Sequence, residues 1–384
     1  MKGHFVAVPG GISHGTIHNQ KSGEDCWAHA FTGVIEDVYR KNHGKNINLS
    51  PEYDLFWHVY LQVKQHSQKF YSLRKDTESK PLTEKEKKDQ EVIDKAYGLS
   101  KSRKVDVNQG FQIDIGATGA EAIAKVNFSG VVPRARFDQR ISTDDLEQKL
   151  ERGLGHFVGN YLMKSGNLEK YAAKFNDKDG VNTALFNDLV ESLMKHEHFL
   201  TEIPLRPDDE FVYNNRKSTP RKFLTEVMQF KSEDYEAILT TPKTQTLALE
   251  AVADSIRNYE LPVAIGINVF GTDDQWSDQV NAGLFSLKLC KGCKLITGGH
   301  EIIVVNYLFK EKINRPTALI VQNSYGRLGN RDINGDIAKS PTEAGFYIIT
   351  LDYLNNAEAD TAWDMLLAKS TLKGNLKYKD LIPE

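Results

Sequence analysis

Only three cysteines occur in 384 residues, too few for a disulfide scaffold. No run approaches the roughly 18 consecutive apolar residues that a membrane-crossing helix needs. The first residues, Met1-Lys2-Gly3-His4-Phe5, lack the apolar core of a signal peptide. A reducing compartment, the cytoplasm, is therefore the expectation; a periplasmic or secreted protein is the alternative if a leader has been removed. The net charge is only −3, so no overall basic field points to nucleic acid. Internal repeats and low-complexity tracts are absent too. What remains is ordinary globular composition, 40 % apolar and 26 % charged, with 18 Phe, 15 Tyr and 4 Trp to fill a core.

The chain changes character along its length. Phe31, Val34, Ile35, Val38 and Tyr39 recur at helical spacing before Gly44, predicting an amphipathic helix over 26–41. Ser50-Pro51-Glu52 announces a second helix, with Ser as cap and Pro at the first position. Residues 72–104 read as a solvated, charged helical excursion, and 110–137 as a turn, a helix and a return loop ending at Val131-Val132-Pro133. Helical segments are expected near 142–165, 182–198, 219–239 and 244–258. Short apolar runs at 263–267, 301–309, 317–322 and 345–351 predict strands. The fold class is α+β: a helical lobe over 1–260, with insertions near 72–104 and 142–258, then a β-rich lobe over 261–384.

The most informative segment is Asn19-Gln20-Lys21-Ser22-Gly23-Glu24-Asp25-Cys26-Trp27-Ala28. A cysteine in the first turn of a helix meets unpaired N–H groups and the positive end of the dipole, which favour a thiolate. A buried structural cysteine is the commoner fate of a lone Cys. Against it stand the polar, glycine-containing loop before Cys26 and the Gln20 amide six residues upstream. With the Cys26 N–H, that amide makes two donors for an oxyanion.

Of 11 His, His300 heads a clean strand, Glu301 to Tyr307. A second strand ends at Gln322-Asn323-Ser324. If the two pair as a hairpin about Glu311 and Lys312, His300 faces Asn323, as a base facing the group that orients it.

The run Gln, five residues, Cys-Trp-Ala, with His300 and then Asn323-Ser324-Tyr325-Gly326, resembles papain-like cysteine peptidases of the C1 family. Asn19-Gln20-Lys21-Ser22, Cys26-Trp27 and Leu49-Ser50-Pro51-Glu52-Tyr53 look most like the bleomycin hydrolase (aminopeptidase C) branch. Echoes recur at Val131–Pro133, Thr219–Leu224 and Ala362–Asp364. Papain and cathepsins place the His about 130–150 residues after the Cys. Here the interval is 274, matching a branch with a large helical insertion.

The resemblance implies a papain-like two-lobe fold and a thiol protease: Cys26 as nucleophile, His300 as base, Asn323 as its orienter and Gln20 in the oxyanion hole. Trp27, Gly110, Phe111, Gly299 and Tyr325 would contact substrate. The expected partner is a peptide or protein substrate, with no cofactor, metal, nucleic acid or membrane; the oligomeric state is left open. An amidase or acyltransferase with the same triad, and a catalytically weak peptide-binding protein, are the rival readings.

Several residues depart from the family pattern. Glu24 and Asp25 place negative charge before the nucleophile, and Phe111 stands where a second glycine is usual. Tyr325 replaces a Trp, and about 20 residues continue past Asp364, so aminopeptidase action does not carry over directly. Cys290-Lys291-Gly292-Cys293 is expected to be a plain turn, His196 to cap a helix end and His29 to be a packing residue.

Overall fold

The computed structural model describes residues 5–7, 20, 25–79, 116–138, 146–162, 164, 166–172, 180–196, 199–240, 244–270, 273–287, 295–310, 313–324, 329–340, 343–354 and 364–373. Among the sequence expectations, Glu24, Gly110, Phe111, Cys290, Cys293 and Tyr325 lie outside these residues.

In chain order, strand β1 (Phe5–Ala7) precedes helices α1 (Cys26–His43), α2 (Pro51–Ser79), α3 (Gly119–Ser129), α4 (Leu146–Phe157), α5 (Asn167–Ala172) and α6 (Thr183–Lys195). The hairpin β2 (Phe211–Tyr213) and β3 (Arg216–Ser218) leads to β4 (Tyr235–Leu239) and α7 (Gln245–Tyr259). Then come β5 (Val263–Phe270), α8 (Asp273–Ala282), β6 (Leu284–Phe285), β7 (Leu295–Lys310), β8 (Ile313–Gln322), β9 (Phe346–Thr350) and β10 (Asp364–Ala368).

Two compact units divide the chain, and neither is continuous. One comprises Met1–Pro51, Gly116–Arg134 and Arg221–Glu384; the other comprises Glu52–Ile115 and Ala135–Pro220. This partition cuts the chain differently from lobes that meet at 260.

The first unit is built on one sheet of order β4-β10-β5-β7-β8-β9-β6, with β1 also paired to β7. Ile265, Ile267, Ile302, Val304, Leu319 and Val321 make one core with Val252 and Ile256 of α7. Alternate residues of β7 therefore bury one face of the strand in this core, as the two-residue period requires. Helix α1 packs on β7 where Gly33 lacks a side chain: a Cβ there would lie 2.4 Å from Ile303 Cδ1. The helix stops at Gly44, whose positive φ of 63° and N–H to the Arg40 carbonyl close the last turn.

The second unit is helical around an aromatic cluster. Trp57 stacks on Phe186 at 5.6 Å, and Phe56 meets the same ring edge-on. Asn182 caps α6 by accepting the Leu185 N–H, and its own N–H donates to the Tyr60 hydroxyl at 2.9 Å.

Two expectations need correction. The segment 219–239 is not one helix: short helical turns at Pro220–Val227 give way to strand β4. Pairing along the sheet edge with β10, from Asp364 opposite Leu239 to Ala368 opposite Tyr235, overrides the local helical bias. The hairpin register also differs. Lys310 pairs with Ile313, but register shifts then place Ile303 opposite Gln322 and not Ile320.

Candidate active site

Cys26 is the first residue of α1, and Asp25 sits at its N-cap. The Asp25 side chain does not cap the helix; Asp25 Oδ2 lies 3.3 Å from His29 Nε2 in a buried pair. His29 is thus more than packing: it faces the acid beside Cys26. The Asp25-to-His29 spacing of four residues is a signal the sequence carried.

His300 lies on β7 opposite Ile267 of β5. The next residue, Glu301, donates its N–H to Cys26 Sγ at 3.4 Å. The head of α1 and the His300 position on β7 therefore meet. His300 Nε2–H donates to Asn323 Oδ1 at 2.7 Å, and both side chains are buried. That bond leaves Nδ1 as the ring's acceptor in the neutral tautomer. It does not come from cross-strand opposition, since paired residues of β7 and β8 end at Ile303 and Gln322. Asn323 lies just past the strand and reaches back.

Gln20 joins the same group. Its N–H donates to the Ser324 carbonyl at 2.6 Å, and the Ser324 hydroxyl donates to Gln20 Oε1. Oε1 is thus committed to a donor, and Nε2 is the amide's own donor end. Ser324 was an unnoticed part of the site; its place directly after Asn323 was the available clue.

A further residue comes from α8. The Trp276 indole meets the His300 ring edge-on, with centroids 5.7 Å apart and planes at 82°, and stacks on Phe285 at 4.9 Å. No motif marked it. Gly299, next to His300, is exposed and pairs with Asn268. Trp27 corrects an expectation: it is 2 % exposed, with Lys125 Nζ 4.9 Å above its ring, so the indole offers no open face to a substrate.

Cys26 and His300 both rest uncharged. Burial pushes the Cys26 thiol up to about 12; the Glu301 and Trp27 N–H groups oppose this, while the charges of Glu301 and Asp25 add to it. Burial likewise lowers His300 to about 4, with the Asn323 bond working against it. Among the described residues no cluster of His, Cys, Asp and Glu could hold a metal ion, and no helix is long and apolar enough to cross a membrane.

The His300 shift has a stability consequence with a definite sign. Its folded value is depressed, so its contribution is intact above 6.5 and is lost as pH falls toward about 4. The difference amounts to about 3 kcal/mol. Urea unfolding at neutral and acid pH should show this loss, and His300→Gln should flatten the acid slope by a similar amount. Equal slopes in the two proteins would contradict a neutral buried ring.

In sequence, no family model and no curated protein matches the chain. Among solved structures, PepW from Lactobacillus rhamnosis HN001 (DR20) is similar with a TM-score of 0.59 and 16 % identity, over 97 % of this chain and 83 % of that one. The bromelain protease of Ananas comosus, solved with the E64 inhibitor, gives 0.36 and 12 %, over 93 % and 94 % of the two chains. Digestive procathepsin L 3 of Tenebrio molitor larval midgut gives 0.35 and 13 %, over 94 % and 68 %. The likeness to PepW spans nearly the whole chain, and it is a likeness of fold: the chain has a papain-like α+β fold.

Proposed function

We propose that this chain is a cysteine peptidase that hydrolyses peptide bonds through a thioester on Cys26. The observation that carries the reading is the 3.4 Å contact between Cys26 Sγ and the Glu301 N–H, directly beside His300. His300 Nδ1 takes the thiol proton as Sγ attacks the scissile carbonyl. The Cys26 N–H and the Gln20 amide hold the oxyanion. His300 then protonates the leaving amine, and water, deprotonated by the same ring, cleaves the thioester. Asn323 keeps the ring in the tautomer that exposes Nδ1. The proton is moved only as attack occurs, because thiol and imidazole rest neutral.

The motifs around Cys26 and Ser50-Pro51-Glu52 support the bleomycin hydrolase (aminopeptidase C) branch, and with it trimming from a free N-terminus. A peptide epoxide should label wild type and leave Cys26→Ala untouched. Peptides with free and blocked N-termini then separate aminopeptidase from endopeptidase action. Absence of labelling in folded wild-type protein would sink the peptidase.

A second reading has its own support. A thiol pushed up to about 12, with Glu301 and Asp25 beside it, suits a catalytically weak protein that binds peptides. Under it, peptides bind without turnover and Cys26→Ala binds equally well. Simple alkylation separates the two only by degree: at neutral pH iodoacetamide should react with Cys26 at least about 100-fold more slowly than with a free cysteine. Reaction as fast as a free thiol would contradict the neutral resting pair.

A further inference from the structure

Glu301 is a buried acid that the mechanism above leaves unused. It is 8 % exposed, and its side chain shares a small cavity with His29, Gln322 and Ser324. Among the described residues, no cation and no hydrogen-bond donor meets its carboxyl group. Its neighbour is another acid. A Cβ on Gly266 of β5 would lie 2.0 Å from Asp364 Oδ1 and 3.0 Å from Glu301 Oε2. The two carboxyl groups thus converge on the space this glycine leaves open. The other oxygen, Asp364 Oδ2, accepts the Gly119 N–H at 3.1 Å, at the start of the 11-residue helix α3. That donor and the helix dipole favour negative charge on Asp364. Glu301 has no comparable support.

We propose that Glu301, set beside the Asp364 carboxyl group, governs by holding or losing its own proton the pH range in which Cys26 can form a thiolate. The inference rests on the reading of Cys26 as nucleophile. While Glu301 is protonated it is a neutral neighbour of the sulfur. Once ionised, it places a carboxylate on the residue whose N–H touches Sγ, and that charge opposes a second anion. Burial and the Asp364 charge raise Glu301 well above the usual carboxylate range, which keeps it neutral further into the working pH range.

The polar and titratable groups near Glu301 come from several elements. Helix α1 brings Cys26 and His29, with Asp25 just before it; β10 brings Asp364. β8 and its end contribute the neutral Gln322 and Ser324, and the Lys125 ammonium of α3 sits over Trp27. Glu301 acts through the charge it carries, as a positioning residue; it is not a catalytic one.

The test is the rate of Cys26 alkylation by iodoacetamide from about pH 5 to about pH 10. Full-length wild type, Glu301→Gln and Asp364→Asn are compared, with Cys26→Ala as the blank for the other cysteines. Wild type and Glu301→Gln should agree at acid pH and diverge above the Glu301 titration, with the variant about tenfold faster. Asp364→Asn should act in the opposite sense: without its charged neighbour Glu301 ionises earlier, and slowing begins at lower pH than in wild type. A loss of packing alone would not move the two variants in opposite directions.

Superimposable profiles in labelled wild type and Glu301→Gln would overturn the inference and leave the peptidase reading standing. So would an Asp364→Asn profile shifted to higher pH, and that variant alone decides the matter if Glu301→Gln does not fold. If Cys26 is labelled in no variant at any pH, the nucleophile assignment falls, and the inference with it.

Discussion

Replacing His300 by Ala is expected to lower kcat/KM by about 10⁴-fold or more, with little change in KM. The size follows from the resting state of the thiol. At about 12, Cys26 holds almost no thiolate at neutral pH, so attack depends on a base that removes the proton as the bond forms. His300 directly precedes the residue whose N–H meets the sulfur, and its Nε2–H is already committed to Asn323. Loss of the ring therefore removes an interaction made only on the way to the transition state, which leaves substrate binding nearly intact. Circular dichroism controls for folding, since the ring also fills space against Trp276. A folded His300→Ala enzyme retaining a tenth of wild-type turnover would remove His300 from the mechanism.

Gln20→Ala is the second large effect: a fall in kcat of about 10²–10³-fold, or about 3–4 kcal/mol, with KM almost unchanged. An oxyanion donor contributes where charge develops, not where the neutral carbonyl sits. Ser324 supplies an internal check. Its hydroxyl holds Gln20 Oε1 and its carbonyl holds the Gln20 N–H. Ser324→Ala keeps the backbone bond but releases the amide, and should cost about tenfold in kcat. Gln20→Glu, which puts a carboxylate where a donor is needed, should be worse than Gln20→Ala. A drop confined to KM in all three variants would reassign Gln20 to ground-state substrate binding.

Much of this site was legible in the residues themselves. The helix beginning at Cys26 followed from its apolar spacing and the glycine that ends it, and it runs two residues past the expected 41. Strands at 263–267, 317–322 and 345–351 lie within β5, β8 and the region of β9. The contact of His300 with Asn323 was expected, but for a reason that did not hold, since irregularities in the hairpin moved the facing pairs. Strand β4 was hidden because its extended form depends on β10, more than a hundred residues away. Trp276 and Asp364 belong to the same class. Trp276 carries no local pattern, Asp364 was marked only as the end of the Ala362–Asp364 echo, and each acquires a role only by what the sheet sets beside it.

The residue order alone determined which groups were present: a thiol at a helix start, an imidazole on a late strand, and the amides of Gln20 and Asn323. Local spacing and turn chemistry suffice for that, because helix starts and strand runs are set by near neighbours. Charge was decided only in the folded molecule. Whether Cys26, His300 and Glu301 are ionised depends on how much water each has lost and which distant group it faces, Asp364 above all. Solvation and long-range Coulomb interaction have no representation along a chain; they arise when the sheet closes around these side chains.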